Sequence, residues 1–378
     1  MTARRGREGG IRLFMTADAV GGVWTYALDL AQGLAAHGVT TTLAVLGPAP
    51  GTDQIALADA VPGLSLQVTA LPLDWLAAHD GEVLAAGAEI AAAARAAGAD
   101  IVHLNSPALA AAGGFPAPVV GACHSCLATW WAAVRNGPMP PDFAWRTDLL
   151  RRGYATATAL VTPSQAFARA TTEAYALPLP PHAIHNGRSP ARIGGAAPTA
   201  VPDFVFTAGR LWDPGKNLLA LDRAAARLPV PVLAAGPLRG PEGSEVAPKH
   251  LIALGPLDAR AMTERLRARP IYAALARYEP FGLAVLEAAQ AGCPLVLSDI
   301  PTFRELWDDA ALFVPADDDE AAAAAIIRLL ADKPMRSRLG LAAQRRARRY
   351  SVSAMAAATF ELYRSLLRRT GRSEEAAA

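Results

Sequence analysis

Lysine is nearly missing from this chain of 378 residues. Of its 36 basic residues only Lys216, Lys249 and Lys333 are lysines; the rest are arginines. A lysine that survives such a bias merits inspection. Cysteine is also scarce, at three in the whole chain, which excludes a disulfide-framed secreted scaffold. The net charge is only +2, so the basic field of a dedicated nucleic-acid binder is lacking. Charged residues are 19% against 52% hydrophobic, too little charge and too much core material for a disordered chain. Met1–Gly10 is polar and basic, and Ile11–Thr16 is a short apolar run rather than a signal-peptide core, so the expected location is the cytoplasm. From Ile101 to Val134 there is no Asp, Glu, Lys or Arg. That is long enough to cross a bilayer. His103, Asn105, Pro107, Gly113, Gly114, Pro116, Pro118 and His124 interrupt it, however, and favour a buried strand at Asp100–Leu104, a turn with a short helix, and a second strand at Pro118–Ala122.

What is present is an alternation of short apolar runs with helical patterns. Ile11–Thr16, Thr40–Leu46, Asp100–Leu104, Val119–Ala122 and Ala159–Thr162 read as strands, and Val23–His37 and Glu82–Ala97 as helices stopped by Gly38 and Gly98. Gly187–Pro202, with three prolines and three glycines, breaks the pattern and reads as a linker. The alternation then restarts with Phe204–Ala208, Val230–Ala234, Leu251–Leu254, Ile271–Ala274 and Leu295–Leu297. Continuous apolar strands separated by helices imply parallel sheets covered on both faces. The expected fold is α/β, with two doubly wound Rossmann-like domains. The first spans 1–190 and the second 200–350; an amphipathic, basic helix over about 352–370 packs back on the first, and Gly371–Ala378 forms a frayed tail. In such sheets ligands bind beyond the carboxyl ends of the strands, and with two domains the natural site is the cleft between them.

Two segments carry the most specific chemistry. In Glu279-Pro-Phe-Gly-Leu-Ala-Val-Leu-Glu287, Pro280 and Gly282 make a turn after a strand, and a helix begins near Gly282 or Leu283. The N–H groups of such a helix start favour an anion. Glu287 sits among apolar neighbours and needs a donor partner such as a sugar hydroxyl. In Gly209-Arg-Leu-Trp-Asp-Pro-Gly-Lys-Asn217, Arg210 and Lys216 place two cations at the end of the first strand of the second half. Fixed cations there can neutralise a diphosphate. Asp18-Ala-Val-Gly-Gly22 opens a helix after the first strand but lacks the full dinucleotide fingerprint. His124 follows a strand end inside Cys123-His-Ser-Cys126. A redox or zinc role for that pair would need a second pair of cysteines or a much smaller domain, and two small buried residues is the preferred reading. Trp130 and Trp131, with Arg135, suit either a core or an acceptor site.

The Glu-x7-Glu segment with its internal Pro-Phe-Gly, reinforced by Arg210 and Lys216, resembles the retaining glycosyltransferases of GT-B fold, in particular glycosyltransferase family 4. The resemblance spans about residues 11–370. It implies a metal-independent enzyme without a cofactor, which moves a sugar from a nucleotide-diphosphate donor to an acceptor that the sequence does not identify. By the same resemblance Arg210 and Lys216 clamp the diphosphate, and Glu287 holds the ribose. Glu279, with Phe281, Gly282 and Leu283, orients the sugar; His124 contacts it; and Gly21 and Gly22 form a loop near the donor phosphates or the acceptor. Val161-Thr-Pro-Ser164 and Ile184-His-Asn-Gly187 echo the family pattern more weakly. A same-fold epimerase or phosphorylase, or a two-lobed sugar-binding module, are the alternatives. No nucleic-acid partner is expected, and the basic last helix leaves room for weak peripheral membrane association.

Overall fold

The protein is described from a computed structural model, which covers residues 10–190, 203–240 and 243–377. The chain divides into two compact units. The first comprises Met1–Thr129, Gly137–Gly187 and Val352–Ala378; the second comprises Trp130–Asn136 and Arg188–Ser351. Of the expected linker, residues 191–202 lie outside the described residues.

The first unit runs β1 (Arg12–Asp18), α1 (Gly22–Ala35), β2 (Thr40–Leu46), α2 (Thr52–Asp59), β3 (Leu64–Val68), α3 (Asp80–Ala96), β4 (Ile101–Leu104), β5 (Val119–Ala122), α4 (Leu127–Val134), α5 (Pro141–Thr156), β6 (Ala159–Thr162), α6 (Gln165–Tyr175) and β7 (His182–Ala183). Only the start of α4 belongs to this unit. The strands form one parallel sheet in the order β3-β2-β1-β4-β5-β6-β7. Successive side chains of β1 point to opposite faces, as the strand period requires. Leu13 and Met15 join a core with α1, whereas Phe14 joins another with α3. Both faces are buried, and this is why Leu13–Met15 of β1 and Ile101–Val102 of β4 are apolar in succession rather than alternating. The uncharged stretch resolves into β4, a short 3-10 turn at Pro107–Ala112, β5 and α4, and no helix among the described residues is long and apolar enough to cross a membrane.

The second unit runs β8 (Val205–Ala208), α7 (Leu218–Ala225), β9 (Val232–Ala235), β10 (Ile252–Gly255), α8 (Ala259–Arg267), β11 (Ile271–Ala274), α9 (Leu283–Gln290), β12 (Leu295–Ser298), α10 (Pro301–Trp307), β13 (Ala311–Val314), α11 (Asp319–Ala331) and α12 (Lys333–Ala347). Its sheet, also parallel, is ordered β10-β9-β8-β11-β12-β13. Phe206, Tyr272, Leu295 and Leu297 pack with α9, α10 and α12 on one face, and Val205, Ile271 and Val296 with α7 and α11 on the other.

The last helix, α13 (Val352–Ala377), returns to the first unit, where Met355, Ala356, Tyr363 and Leu366 enter the core beside α1. It runs past Gly371 to Ala377, where a frayed tail was expected. The extension follows from Arg372-Ser-Glu-Glu-Ala-Ala377, which holds good helix formers and no proline.

Candidate active site

In each sheet the strand order reverses direction at one point: between β1 and β4 in the first unit, and between β8 and β11 in the second. The loops leaving the carboxyl ends of those two strands diverge to opposite sides, and the gap between them is where open α/β sheets bind ligands. Both strong sequence segments sit there. Gly209–Asn217 follows β8, and Glu279–Gly282 follows β11.

Backbone bonds lock the two loops together. The Arg277 and Tyr278 amides both donate to the Gly215 carbonyl, at 2.9 and 3.2 Å. Asn217, buried and left-handed at φ 54°, donates from Nδ2 to the Leu275 carbonyl (3.0 Å) and the Ala316 carbonyl (2.7 Å). On this frame the Lys216 ammonium pairs with the Glu279 carboxylate. Arg210 Nη2 donates to Asp213 Oδ2 at 3.2 Å, and its guanidinium lies 5.8 Å from the Trp212 ring. Gly236, after β9, lets the chain pass closely: a Cβ there would stand 1.9 Å from the Gly209 carbonyl oxygen.

The second half of the Glu-x7-Glu segment is α9. Gly282 caps it at φ 92°, a left-handed conformation that glycine adopts without strain. Leu283 opens the helix, so the first-turn N–H groups, which have no intrahelical acceptor, face the carboxyl edge of the sheet. Glu287 finds its donor in Arg188, whose Nε lies 2.8 Å from Glu287 Oε1. The Arg188 backbone is itself anchored: its carbonyl accepts from Gln290 Nε2 at 2.8 Å, and its amide donates to the Tyr350 carbonyl at 3.1 Å. Sequence reading missed Arg188 because it lies at the head of a segment that looks like linker. Phe281 is not exposed to the site. Its side chain is buried edge-on against Tyr350 at 5.7 Å, because the residue between the turn-forming Pro280 and Gly282 points into the core, so only its backbone faces a ligand.

In the first unit the corresponding edge has no cation–carboxylate cluster of this kind among the described residues: Asp18 ends β1 and accepts from the Val20 amide at 2.9 Å, and Thr16, Asn105 and His124 are neutral. Gly21 caps α1, and a side chain there would meet open space. Gly22 is the first residue of α1, and Tyr26, one turn on, packs edge-on against the His124 ring at 4.4 Å. His124 Nε2 lies 2.7 Å from Asn105 Oδ1. Asn105 is fixed in turn: its Nδ2 donates to the Thr16 carbonyl (2.7 Å) and its amide to Thr16 Oγ1 (3.0 Å). The bond from Asn105 Nδ2 to Thr16 fixes the orientation of the carboxamide and turns Oδ1 to His124; an amide oxygen can only accept, so His124 must carry its proton on Nε2. Desolvation by the surrounding protein lowers the His124 pKa to about 4. The imidazole is therefore neutral near pH 7 and offers Nδ1 as a hydrogen-bond acceptor. Beneath it His103 is fully buried, its pKa lowered to about 3, first by desolvation and then by His124. It lies 2.7 Å from the Tyr363 hydroxyl and 3.5 Å from that of Tyr26. Asn105, just past β4, and Thr16, a polar residue inside the apolar run of β1, could have been found from their positions on the two strands flanking the reversal point.

The remaining features have local roles. Cys123, Cys126 and Cys293 are buried free thiols, and burial pushes Cys123 and Cys293 up to about 12. Ser164 is an N-cap: its Oγ accepts from the Phe167 amide at 3.1 Å at the start of α6. Trp130, left open between a core and an acceptor site, makes one contact not foreseen from the sequence: its Nε1 donates to Asp213 Oδ1 at 3.0 Å.

Two parallel doubly wound sheets, one with paired cations and carboxylates at its reversal point and one with a neutral histidine, are the architecture of the GT-B fold. Comparison with known proteins gives the family. The model for Glycosyltransferase Family 4 matches residues 20–192, and that for Glycosyl transferases group 1 matches residues 244–346. The D-inositol 3-phosphate glycosyltransferase of Kineococcus radiotolerans is 30% identical, over 92% of this chain and 91% of its own length. A phosphatidyl-myo-inositol mannosyltransferase from Mycolicibacterium smegmatis is 33% identical over 43% of this chain, a match that spans 45% of the relative. Among solved structures, sucrose-phosphate synthase from Thermosynechococcus elongatus shares the fold with a TM-score of 0.75 and 18% identity, covering 95% of this chain and 100% of that one. The chain belongs to the family 4, group 1 glycosyltransferases.

Proposed function

We propose that the chain moves a sugar from a nucleoside-diphosphate sugar to an acceptor hydroxyl with retention of anomeric configuration. The observation that carries this reading is the placement of Arg210 and Lys216 on one short, internally bonded loop at the reversal point of the second sheet, with the N-terminus of α9 on the neighbouring loop. Two fixed cations and a set of first-turn amides suit a diphosphate whose charge grows as it leaves. Glu287 accepts from the ribose hydroxyls on the lone pairs that Arg188 does not use. Glu279 and the amides after it orient the sugar. In the first unit His124 accepts a sugar hydroxyl on Nδ1, and the open Gly21–Gly22 turn admits donor or acceptor close to the backbone.

In the reaction the acceptor oxygen bonds to the anomeric carbon on the face from which the diphosphate departs. The bond from that carbon to the phosphate oxygen breaks with its electron pair going to the leaving group, and the acceptor proton passes to a departing phosphate oxygen. Arg210 and Lys216 stabilise the charge that develops, without a metal or any other cofactor. No carboxylate nucleophile is needed, in contrast to retaining glycosidases. Two relatives are named for inositol-bearing acceptors, and this supports an inositol phosphate or phosphatidylinositol as the first acceptors to try. The test is a screen of UDP-, GDP- and ADP-sugars by thermal shift, followed by assay of the stabilising donor with each acceptor. Bound donor raises the melting temperature by mass action, and nucleoside diphosphate should appear together with a glycosylated product. Conversion of the donor sugar without any acceptor would instead mark an epimerase, and binding of a free sugar but no nucleotide would mark a sugar-binding module.

A further inference from the structure

We propose that Trp130 is a positioning residue for the donor-phosphate site, which through the Asp213 carboxylate fixes the guanidinium of Arg210. The proposal rests on the reading of Arg210 as a phosphate ligand.

Asp213 is 5% exposed, and a carboxylate so buried must be surrounded by donors. Its two oxygens are used differently. Oδ1 accepts from the Gly215 amide at 2.8 Å and from Trp130 Nε1 at 3.0 Å. Oδ2 accepts from Arg210 Nη2 at 3.2 Å. Two donors on one oxygen set the plane of the carboxylate, and that plane decides where the other oxygen points. The indole donor is the one that does not come from the loop itself. It reaches Asp213 across 83 residues of chain, from the 130–136 segment that belongs to the second unit.

Arg210 needs such a hold. Its side chain is 53% exposed, and a long exposed side chain loses rotamer freedom when it binds. A single bond to Asp213 Oδ2 orients the planar fork and leaves its other N–H donors for a phosphate. The space for this arrangement is reserved by Gly215. A Cβ there would stand 3.0 Å from Asp213 Oδ1 and 3.0 Å from Trp130 Nε1, wedged against the bond between them. The indole N–H is thus committed to the donor loop rather than to an acceptor, while Arg135 covers the ring at 5.4 Å from its centroid.

The experiment measures nucleoside-diphosphate binding by calorimetry, using whichever of UDP, GDP and ADP binds the wild-type chain. Trp130→Phe keeps an aromatic ring and removes the N–H. It should weaken binding about 3- to 10-fold, the range of one lost hydrogen bond. In an Arg210→Ala background the same change should have no further effect, whereas in a Lys216→Ala background it should persist. A purely structural role of the indole would affect both backgrounds alike. If Trp130→Phe does not fold, Gly215→Ala, which crowds the same bond, is put through the same cycle. Wild-type affinity in Trp130→Phe, or an undiminished loss in the Arg210→Ala background, overturns the proposal and leaves the phosphate role of Arg210 standing. Wild-type affinity in Arg210→Ala alone overturns that role and the proposal with it.

Discussion

The carboxyl edges of the two sheets share a topology and differ in chemistry. Around the reversal point of the second sheet stand ion-paired side chains: Arg210, Lys216 and Glu279 on loops tied together by backbone bonds, and Glu287 of α9 with Arg188. At that of the first stand Thr16, Asn105 and His124, a neutral chain of hydrogen bonds with a histidine that burial keeps uncharged. One edge is suited to hold an anion that gains charge during a reaction. The other presents neutral hydrogen-bonding groups suited to hydroxyls, with Asp18 at the end of β1 beside them. The same doubly wound frame thus supports two kinds of binding, and the difference lies in a few side chains just past the strand ends.

Lys216→Ala tests the charged edge most severely. It strips Glu279 of its partner and, on the proposed function, removes a cation from the diphosphate. With hydrogen bonds to charged groups contributing about 1.5–3 kcal/mol, kcat/KM for the donor should fall by about 100-fold. Glu287→Ala should weaken donor binding by about 10- to 100-fold, and because the neutral amide of Glu287→Gln does not restore the charge-assisted bond to Arg188 the loss should be only partly recovered by it. Both are read from steady-state kinetics at fixed acceptor.

The neutral edge should respond more mildly and in a different variable. His124→Ala loses one hydroxyl contact, which is about a tenfold effect on kcat/KM. Asn105→Asp keeps the shape but places a carboxylate on His124 Nε2, which favours the imidazolium and raises the His124 pKa. Its activity should then fall with decreasing pH below about 6.5, as Nδ1 becomes protonated and stops accepting, whereas the wild-type profile shows no such break. The imidazole nitrogen shifts of wild-type His124 should report the Nε2-protonated neutral tautomer from pH 8 down to 5.5.

The remaining effect is on stability. The folded pKa values of His124 and His103, about 4 and about 3, lie below the ordinary value of 6.5. Between these limits the unfolded chain binds more protons than the folded one. The contribution of the two rings is therefore complete above about pH 6.5 and is lost as pH falls toward 4. Melting curves of His103→Phe should be flatter over this window than those of wild type.

Much of this was legible in the sequence. Two parallel sheets could be read because their strands are apolar on both faces, and β2, β6 and β11 have the expected limits. β3, Leu64–Val68, escaped notice because it is an edge strand with mostly exposed residues, so its pattern is not that of a buried run. Within the site, Arg210, Lys216, Glu279 and Glu287 were legible as residues of unusual type in a recognisable spacing. Their partners were not. Arg188 and Trp130 meet Glu287 and Asp213 across 99 and 83 residues, and nothing local marks such long-range pairs. The side-chain direction of Phe281 was equally hidden: spacing put it in the motif, and the turn sends its ring into the core and leaves its backbone at the site.

The measurement that bears most directly on the two-edge account is titration of the chosen nucleoside diphosphate into wild type, Lys216→Ala and His124→Ala at two ionic strengths. The account predicts that Lys216→Ala loses most of the affinity and much of its salt dependence, because a screened charge interaction has been removed, while His124→Ala binds the diphosphate like wild type. Equal losses in the two variants, or none in Lys216→Ala, would contradict the assignment of the anion to the second sheet.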